Sequence, residues 1–239
     1  MTLLELVREF CSRTALQVPS TVKASQDEGL IQIAALCNEV LDDLVTRRAW
    51  TAVTRQAVFT SVAAEVQGAL ATIAPYGFQG MVNKSFYDRD RRLPFFGPIS
   101  SNEWQYLKTL PNTGPYYKYR LWQGSIYVNP DMEAGHECAF EYFSSYLVED
   151  PTTPLTPFKR YFTLDTDTFA LDDSLLLAGL RWVWKKEKGL AYAEEFRLYE
   201  SILASQMGRD GSAETLSMDG TEYRPAPGIF VPAGNWFQP

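Results

Sequence analysis

The spacing of apolar residues constrains the fold most strongly, because it changes twice along the chain. After residue 28, apolar side chains recur at i, i+3 and i+4, as in a helix packed along one face: Leu30, Ile33, Ala34, Cys37, Leu41 and Leu44. From 51 to 148 the residues favour strands, with Gly and Pro between them. Helical spacing returns after Asp172. The sequence therefore predicts an α+β fold, a helical bundle of N- and C-terminal helices with an inserted antiparallel β-domain.

The pattern divides the chain into four segments. We expect bundle helices over 1–50, a β-rich domain over 51–165 with a short helix near 100–110, and further bundle helices over 166–207. Residues 208–239 lose all periodicity and are rich in Gly, Pro and Ser, so they predict an extended C-terminal arm. The arm still carries the aromatic residues Tyr223, Phe230, Trp236 and Phe237. We expect these to lie in grooves of a partner or a neighbouring subunit after assembly.

Helix starts are predicted by Ser or Thr followed three residues later by Glu. The pairs are Thr2 with Glu5, Ser25 with Glu28, and Ser100 with Glu103. They predict helices reaching about Thr14 and about Arg48, and a short helix through Trp104 and Leu107. Further on, Gly189 predicts a helix end. A second C-terminal helix is predicted by an apolar stripe of Tyr192, Phe196, Tyr199 and Leu203.

Two stretches of the middle region predict particular strands. "YYKYRLWQGSIYVNP" is typical of a hairpin with Gln123 and Gly124 at its turn. "ECAFEYFSSY" predicts a strand with Cys138, Phe140, Tyr142 and Tyr146 on one face.

Charge and cysteine content exclude several classes of protein. The net charge of -7 argues against sequence-independent binding of nucleic acid, although an acidic wall would let DNA pass nearby without binding it. The three cysteines are widely spaced, without a C-x-x-C pattern, and are interpreted as reduced, buried thiols. We find no signal peptide and no apolar run that could span a bilayer, so we expect synthesis in a reducing cytoplasm and no membrane partner.

Catalytic and cofactor motifs are also missing from the sequence. His136 is the only histidine, and its setting in "EAGHEC" predicts an exposed loop imidazole. No spaced His and Cys set predicts a zinc site, and G-x-S-x-G, P-loop and G-x-G-x-x-G motifs are absent. We therefore expect no enzyme, no cofactor and no metal. A glycosidase with two carboxylates stays open, since acidic residues are plentiful but nothing selects a pair.

The strongest carboxylate cluster lies in "DTDTFALDD" and consists of Asp165, Asp167, Asp172 and Asp173. A calcium loop of the EF-hand type would need other residues at the positions of Phe169 and Ala170. Asp172 and Asp173 instead occupy positions where carboxylates cap a helix. Helix capping is the favoured interpretation over a metal site.

Residues 87–104, "YDRDRRLPFFGPISSNEW", could form a catalytic loop, a nucleic-acid clamp or a structural corner. Asp88 and Asp90 alternate with the arginines and cancel their field, and prolines flank a tight turn. We predict a structural corner, called the 87–104 corner below, closed by Asp–Arg pairs and anchored by its aromatic residues. Its main residues are Tyr87, Asp88, Arg89, Arg91, Arg92, Gly97, Pro98 and Trp104.

The stretch "VNKSFYDRDRRLPFFGPISSNEWQYL" resembles the signature of head-to-tail adaptor (connector) proteins of tailed bacteriophages. "RRAW" at 47–50, "GSIYVNPDMEAGHECAFEY" and "DTDTFALDDSLLLAGLRWVWKKEKGLAYAEEFRLYE" resemble further parts of that family, in the same order. The resemblance spans residues 25–207 and does not extend to the arm.

This resemblance implies a structural virion protein in the neck between capsid and tail. About twelve copies would form a ring below the portal protein. The ring would line the DNA channel without specific binding and would offer a platform to a downstream tail or nozzle protein. Two alternatives stay open: a tail tube or tail-completion protein, and a carbohydrate-binding or cell-wall-degrading tail enzyme.

Overall fold

The computed structural model of the chain describes residues 1–109, 116–153 and 157–211. The α-helices in these residues are α1 (Leu3–Arg13), α2 (Glu28–Arg47), α3 (Leu70–Ile73), α4 (Ser101–Thr109), α5 (Asp173–Glu187) and α6 (Ala193–Arg209). The longer strands are β1 (Thr54–Thr60), β2 (Val66–Ala69), β3 (Phe78–Met81), β6 (Lys118–Trp122), β7 (Ser125–Asn129) and β8 (Glu137–Ser144). The two-residue strands are β4 (Tyr87–Asp88), β5 (Leu93–Pro94), β9 (Val148–Glu149), β10 (Phe158–Lys159) and β11 (Thr168–Phe169).

The strands form three antiparallel sheets. The largest has the order β1-β8-β4-β5, with β3 also paired to β8. A second sheet has the order β2-β7-β6, and a third the order β10-β9-β11. The fold is therefore mixed, with helices and antiparallel sheets, in agreement with the predicted α+β class.

The helices α1, α2, α5 and α6 share one apolar core. α5 packs against both α2 and α6 and also contacts α1. Its buried face includes Leu176, Leu180 and Val183, as its apolar spacing predicts. Leu147, Val148, Phe162 and Phe169 belong to the same core, so the small third sheet packs with the helices.

A second core lies among the longer strands. In the predicted hairpin, Trp122 pairs with Ser125 across a turn where Gln123 and Gly124 both have positive φ. The inward face of the hairpin buries Tyr119, Ile126 and Val128. In β8, Cys138, Phe140 and Tyr142 are buried as predicted, whereas Tyr146 lies beyond the strand end at Ser144 and is half-buried.

Of the three predicted N-terminal capping pairs, one is confirmed in full, one is confirmed in part and one is wrong. Thr2 and Glu5 form a reciprocal capping box. Ser100 Oγ accepts a hydrogen bond from the backbone N–H of Glu103 at the start of α4. The Ser25 prediction was wrong, because Asp27 is the N-cap of α2 and its carboxylate accepts from the N–H groups of Gly29 and Leu30.

The ends of α5 agree with the prediction, whereas both ends of α6 differ from it. Asp172 caps α5 through the N–H of Ser174, as predicted, and Gly189 follows the C-cap with φ +67°. Tyr192 was predicted to lie in the apolar stripe, but it precedes α6 and is 43% exposed. α6 continues to Arg209, two residues beyond the predicted end.

Beyond α6, Asp210 fastens the chain to the junction between α2 and β1. Its carboxylate accepts hydrogen bonds from the backbone N–H groups of Thr51 and Ala52, both at 2.9 Å, and from the Thr51 hydroxyl. Arg48 donates to the backbone carbonyl oxygens of Met207 and Asp210. Residue 211 therefore has a fixed position on the body of the protein.

Among the described residues, we find no helix with the length and apolar character needed to cross a membrane.

Candidate functional site

The 87–104 corner contains a fully buried carboxylate, Asp88. Its Oδ1 accepts hydrogen bonds from the backbone N–H groups of Asp90 and Arg91, both at 3.0 Å. This arrangement closes the turn between β4 and β5, in which Arg92 adopts φ +58°. Because a buried carboxylate is costly unless it is fully hydrogen-bonded, Asp88 determines the path of the turn.

The other oxygen of Asp88 contacts His136. The distance from His136 Nδ1 to Asp88 Oδ2 is 2.9 Å, and the imidazole side chain is only 18% exposed. The prediction of an exposed loop imidazole was therefore wrong. The residues on either side of His136 gave no sign of this contact, because Asp88 lies 48 positions away.

Two arginines of the corner pair with glutamates, one at the start of β8 and one in the loop before it. Arg89 lies 2.7 Å from a carboxylate oxygen of Glu137, and Arg91 lies 2.8 Å from one of Glu133. The predicted Asp–Arg pairs are thus replaced, because the carboxylates of Asp88 and Asp90 accept from backbone N–H groups instead. Two of the three cations are neutralised within the chain, which leaves little field for a phosphate clamp.

The end of the corner fits closely against β6. Gly97 has φ +155°, and a Cβ at this position would lie 2.4 Å from the backbone oxygen of Tyr119. Gly97 precedes Pro98 through a cis peptide bond. Ile99 N–H then donates to the Tyr119 carbonyl and leads the chain into α4. Only glycine fits here, because any side chain would collide with the neighbouring backbone.

Trp104 attaches α4 to the outer face of the hairpin. Its ring is 1% exposed and lies edge-on to Tyr127, with ring centroids 6.3 Å apart. The Arg120 guanidinium lies 4.4 Å from the Trp104 ring centroid and 4.7 Å from that of Trp122. Sequence reasoning missed this stack. The i, i+2 spacing of Arg120 and Trp122 on one strand could have indicated their shared face, but not the approach of Trp104.

One group of side chains has the donor types of a cation site. Ligand atoms of Asp88, Asp90 and His136 all lie within 4.8 Å of one another. The oxygens of Asp88 and Oδ2 of Asp90 already accept hydrogen bonds from the chain. The contacts of the group thus satisfy its buried charge without a cation.

The chemistry open to His136 follows from its partners. The ring contacts Asp88 through Nδ1, and Nε2 lies 3.6 Å from a carboxylate oxygen of Glu133. Its hydrogen bond goes to a carboxylate rather than to a hydroxyl or a thiol. This geometry fixes the 133–137 loop on the corner and prepares no nucleophile within the described part of the chain.

The predicted carboxylate cluster separates into individual roles. Asp165 accepts from the backbone N–H groups of Val22 and Lys23, and Asp172 caps α5. Asp167 is fully buried and lies 3.0 Å from Lys159 Nζ. Capping is thus confirmed for Asp172, whereas Asp173, in the first turn of α5, contacts the amino group of Met1.

The cysteine thiols are free and buried, as predicted. Burial raises the pKa of Cys37 and of Cys138 to about 12 in each case. Both therefore stay protonated near neutral pH and are poor nucleophiles.

The predicted arm residues Tyr223, Phe230, Trp236 and Phe237 lie outside the described residues. No model of a known protein family matches the chain, and no curated protein matches its sequence.

Proposed function

We propose that this chain is a head-to-tail adaptor of a tailed bacteriophage, a structural virion protein of the neck. About twelve copies form a ring below the portal protein. The ring lines the DNA channel and offers a platform to a downstream tail or nozzle protein. The four-block sequence resemblance over residues 25–207 suggests this class of protein.

The observation that carries the proposal is a set of large aromatic side chains left exposed around α4 and β6. The exposed fractions are 42% for Phe96, 62% for Tyr106, 46% for Tyr116 and 45% for Trp122. Phe96 and Tyr116 contact each other edge-on, with centroids 5.4 Å apart. Aromatic residues are enriched at protein interfaces, and exposed apolar groups of this size commonly mark them. This surface supports contact between neighbouring subunits.

The charge distribution supports a channel through which DNA slides. Arg89 and Arg91 are paired with glutamates, and the chain has an excess of seven acidic groups (29 Asp and Glu against 22 Lys and Arg). Unpaired cations would hold phosphate groups, whereas an acidic surface repels them. DNA would then pass without specific binding.

In this proposal α1, α2, α5 and α6 form a bundle into which the β-domain is inserted. Their common apolar core supports that arrangement. The arm, with Tyr223, Phe230, Trp236 and Phe237, binds the portal or a neighbouring subunit. Asp210 supports such a role, because it fixes the point from which the arm leaves the body.

The test is to locate the chain in virus particles. We expect electron cryomicroscopy of the encoding phage to show the chain as a ring directly below the portal. Quantitative mass spectrometry should find it in the same copy number as the portal protein. A position along the tail tube, or only one or two copies per particle, would contradict the proposal.

Removal of the arm gives a sharper prediction. A deletion of residues 212–239 retains α6 and the Asp210 contacts, so we expect a body that still unfolds cooperatively and a loss of binding to portal-containing heads. Each aromatic anchor replaced by Ala should weaken binding by about thirtyfold, or roughly 2 kcal/mol. Co-sedimentation with heads measures this, with a Leu216→Ala variant as the control in the same segment. Equal binding by the truncated and full chains would rule out the arm as the attachment device.

A further inference from the structure

An apolar groove runs between α1, α5 and α6, and we call it the α5 groove. Its volume is about 430 Å³, within the range of protein sites that hold organic groups. The floor includes the buried side chains of Leu6, Leu177 and Ala178, and one wall is formed by Leu198 and Ile202 of α6. Leu198 is 48% exposed although it borders this apolar floor. The groove is therefore a place where a further apolar side chain would be buried.

The charged residues around the groove are already paired. Arg13 lies 2.7 Å from an oxygen of Glu9, and Arg181 lies 3.6 Å from one of Glu195. A charged ligand would have to break these pairs, whereas an apolar or aromatic group would not. The rim thus favours an uncharged occupant.

Asp173, at one end of the groove, offers no free acceptor to an occupant. Its Oδ2 lies 2.8 Å from the amino group of Met1, and its Oδ1 is buried beneath the surface. An occupant of the groove therefore needs no hydrogen-bond donor at this end.

We propose that, in the unassembled chain, the α5 groove binds residues 229–237 of the same chain, with Phe230 on the apolar floor. These nine residues contain Ile229, Phe230, Val231, Trp236 and Phe237 and no charged residue, so they match the paired rim. The inference does not rest on the proposed function.

Gly211 lies close enough to the α5 groove for residues 229–237 of the same chain to reach it. Asp210 holds the end of α6 beside Thr51, and Gln206 donates to Asp172 at the start of α5, next to the groove. From Arg209 back to Ile202 the helix rises only about 10 Å. The chain from 211 to 229 spans up to about 60 Å when extended. A tethered segment of this length has an effective concentration near the millimolar range, so moderate affinity is enough.

Proteolysis of the full chain tests the proposal. Chymotrypsin should cleave the Phe230–Val231 and Trp236–Phe237 bonds, and mass spectrometry identifies the products. We expect cleavage of the wild-type chain to be about tenfold slower than cleavage of a synthetic peptide of residues 226–239, because only the undocked state is cut. Leu198→Asp should restore the peptide rate. Ile31→Asp is the matched control, since Ile31 is also a half-exposed helical residue (52%) but does not line the groove.

Two outcomes would overturn the inference. If the wild-type chain is cut as fast as the peptide, the segment does not dock, and this comparison is independent of whether any variant folds. If the protection rises with protein concentration, the occupant is a second copy rather than the same chain. Protection that is independent of concentration and is lost in Leu198→Asp alone supports the inference. Neither result bears on the position of the chain in a virus particle.

Discussion

At the scale of single residues, Asp88 links several segments of the β-region, although it lies in a strand of only two residues. It accepts from two backbone N–H groups of the turn and contacts His136 on a loop far away in sequence. Loss of this carboxylate would remove the partner of three polar groups in a partly buried place.

We therefore predict that Asp88→Ala lowers the free energy of unfolding by about 2–4 kcal/mol, because each unsatisfied buried donor is costly. Urea denaturation measures the change. Asp131→Ala is the control, since Asp131 is exposed in the neighbouring loop, and it should change stability by less than about 0.5 kcal/mol. A similar small effect for Asp88→Ala would show that water replaces the carboxylate.

Trp104 gives a second prediction at this scale. Its ring is almost fully buried between α4 and the hairpin, so Trp104→Ala should lower stability by about 3–5 kcal/mol. Trp122→Ala, which removes a ring that is 45% exposed, should cost much less. Thermal melting compares the two variants. If Trp104→Ala melts like the wild type, α4 does not depend on this ring for its attachment.

At the scale of elements, the sequence predicted those structures whose causes are local. The turn at Gln123 and Gly124 and the helix cap at Asp172 depend on neighbouring residues, and both were confirmed. Ser25 was wrongly assigned as a cap because the N-cap of α2 lies two residues later, where the Asp27 carboxylate accepts from the N–H groups of Gly29 and Leu30. The pairing of His136 with Asp88, and the Trp104–Arg120 stack, need contacts between distant segments. Periodicity in one sequence does not report such contacts.

The small sheet of β9, β10 and β11 contains an ionic network that predicts sensitivity to acid. Lys159 Nζ lies 2.6 Å from Asp150 and 3.0 Å from Asp167, and both carboxylates are buried. The hydrogen bonds from Lys159, followed by those from Thr152, hold the pKa of Asp150 well below its usual value. The folded state therefore favours the ionised form of Asp150.

Folding lowers the pKa of Asp150, so the ionised carboxylate stabilises the folded state. This contribution is fully present above the pKa of the unfolded state, about 3.9, and is lost as the pH falls through the pKa of the folded state. We expect the urea concentration at the unfolding midpoint of the wild-type chain to decrease once the pH is below about 4. Asp150→Asn should be less stable near neutrality but should show a shallower fall in acid. Parallel curves for the two proteins would exclude Asp150 as a source of the acid sensitivity.

At the scale of the whole molecule, the acidic balance leads to a prediction about nucleic acid. Surface charges act over about 8 Å at physiological salt, and here the net charge of -7 repels phosphate groups. We expect no measurable binding of duplex DNA at that salt concentration in a fluorescence anisotropy titration. Tight binding with a steep dependence on salt would instead indicate a cationic surface that engages DNA.

The contacts of Asp210 also have a mechanical consequence. A pull on the chain beyond residue 211 reaches Asp210 first and is divided among its bonds to Arg48, Thr51 and Ala52. These residues lie where α2 ends and β1 begins, so the load enters the helical and the strand regions together and does not unwind α6 from its last turn. A load applied at residue 211 would therefore be carried by this junction before α6 unwinds.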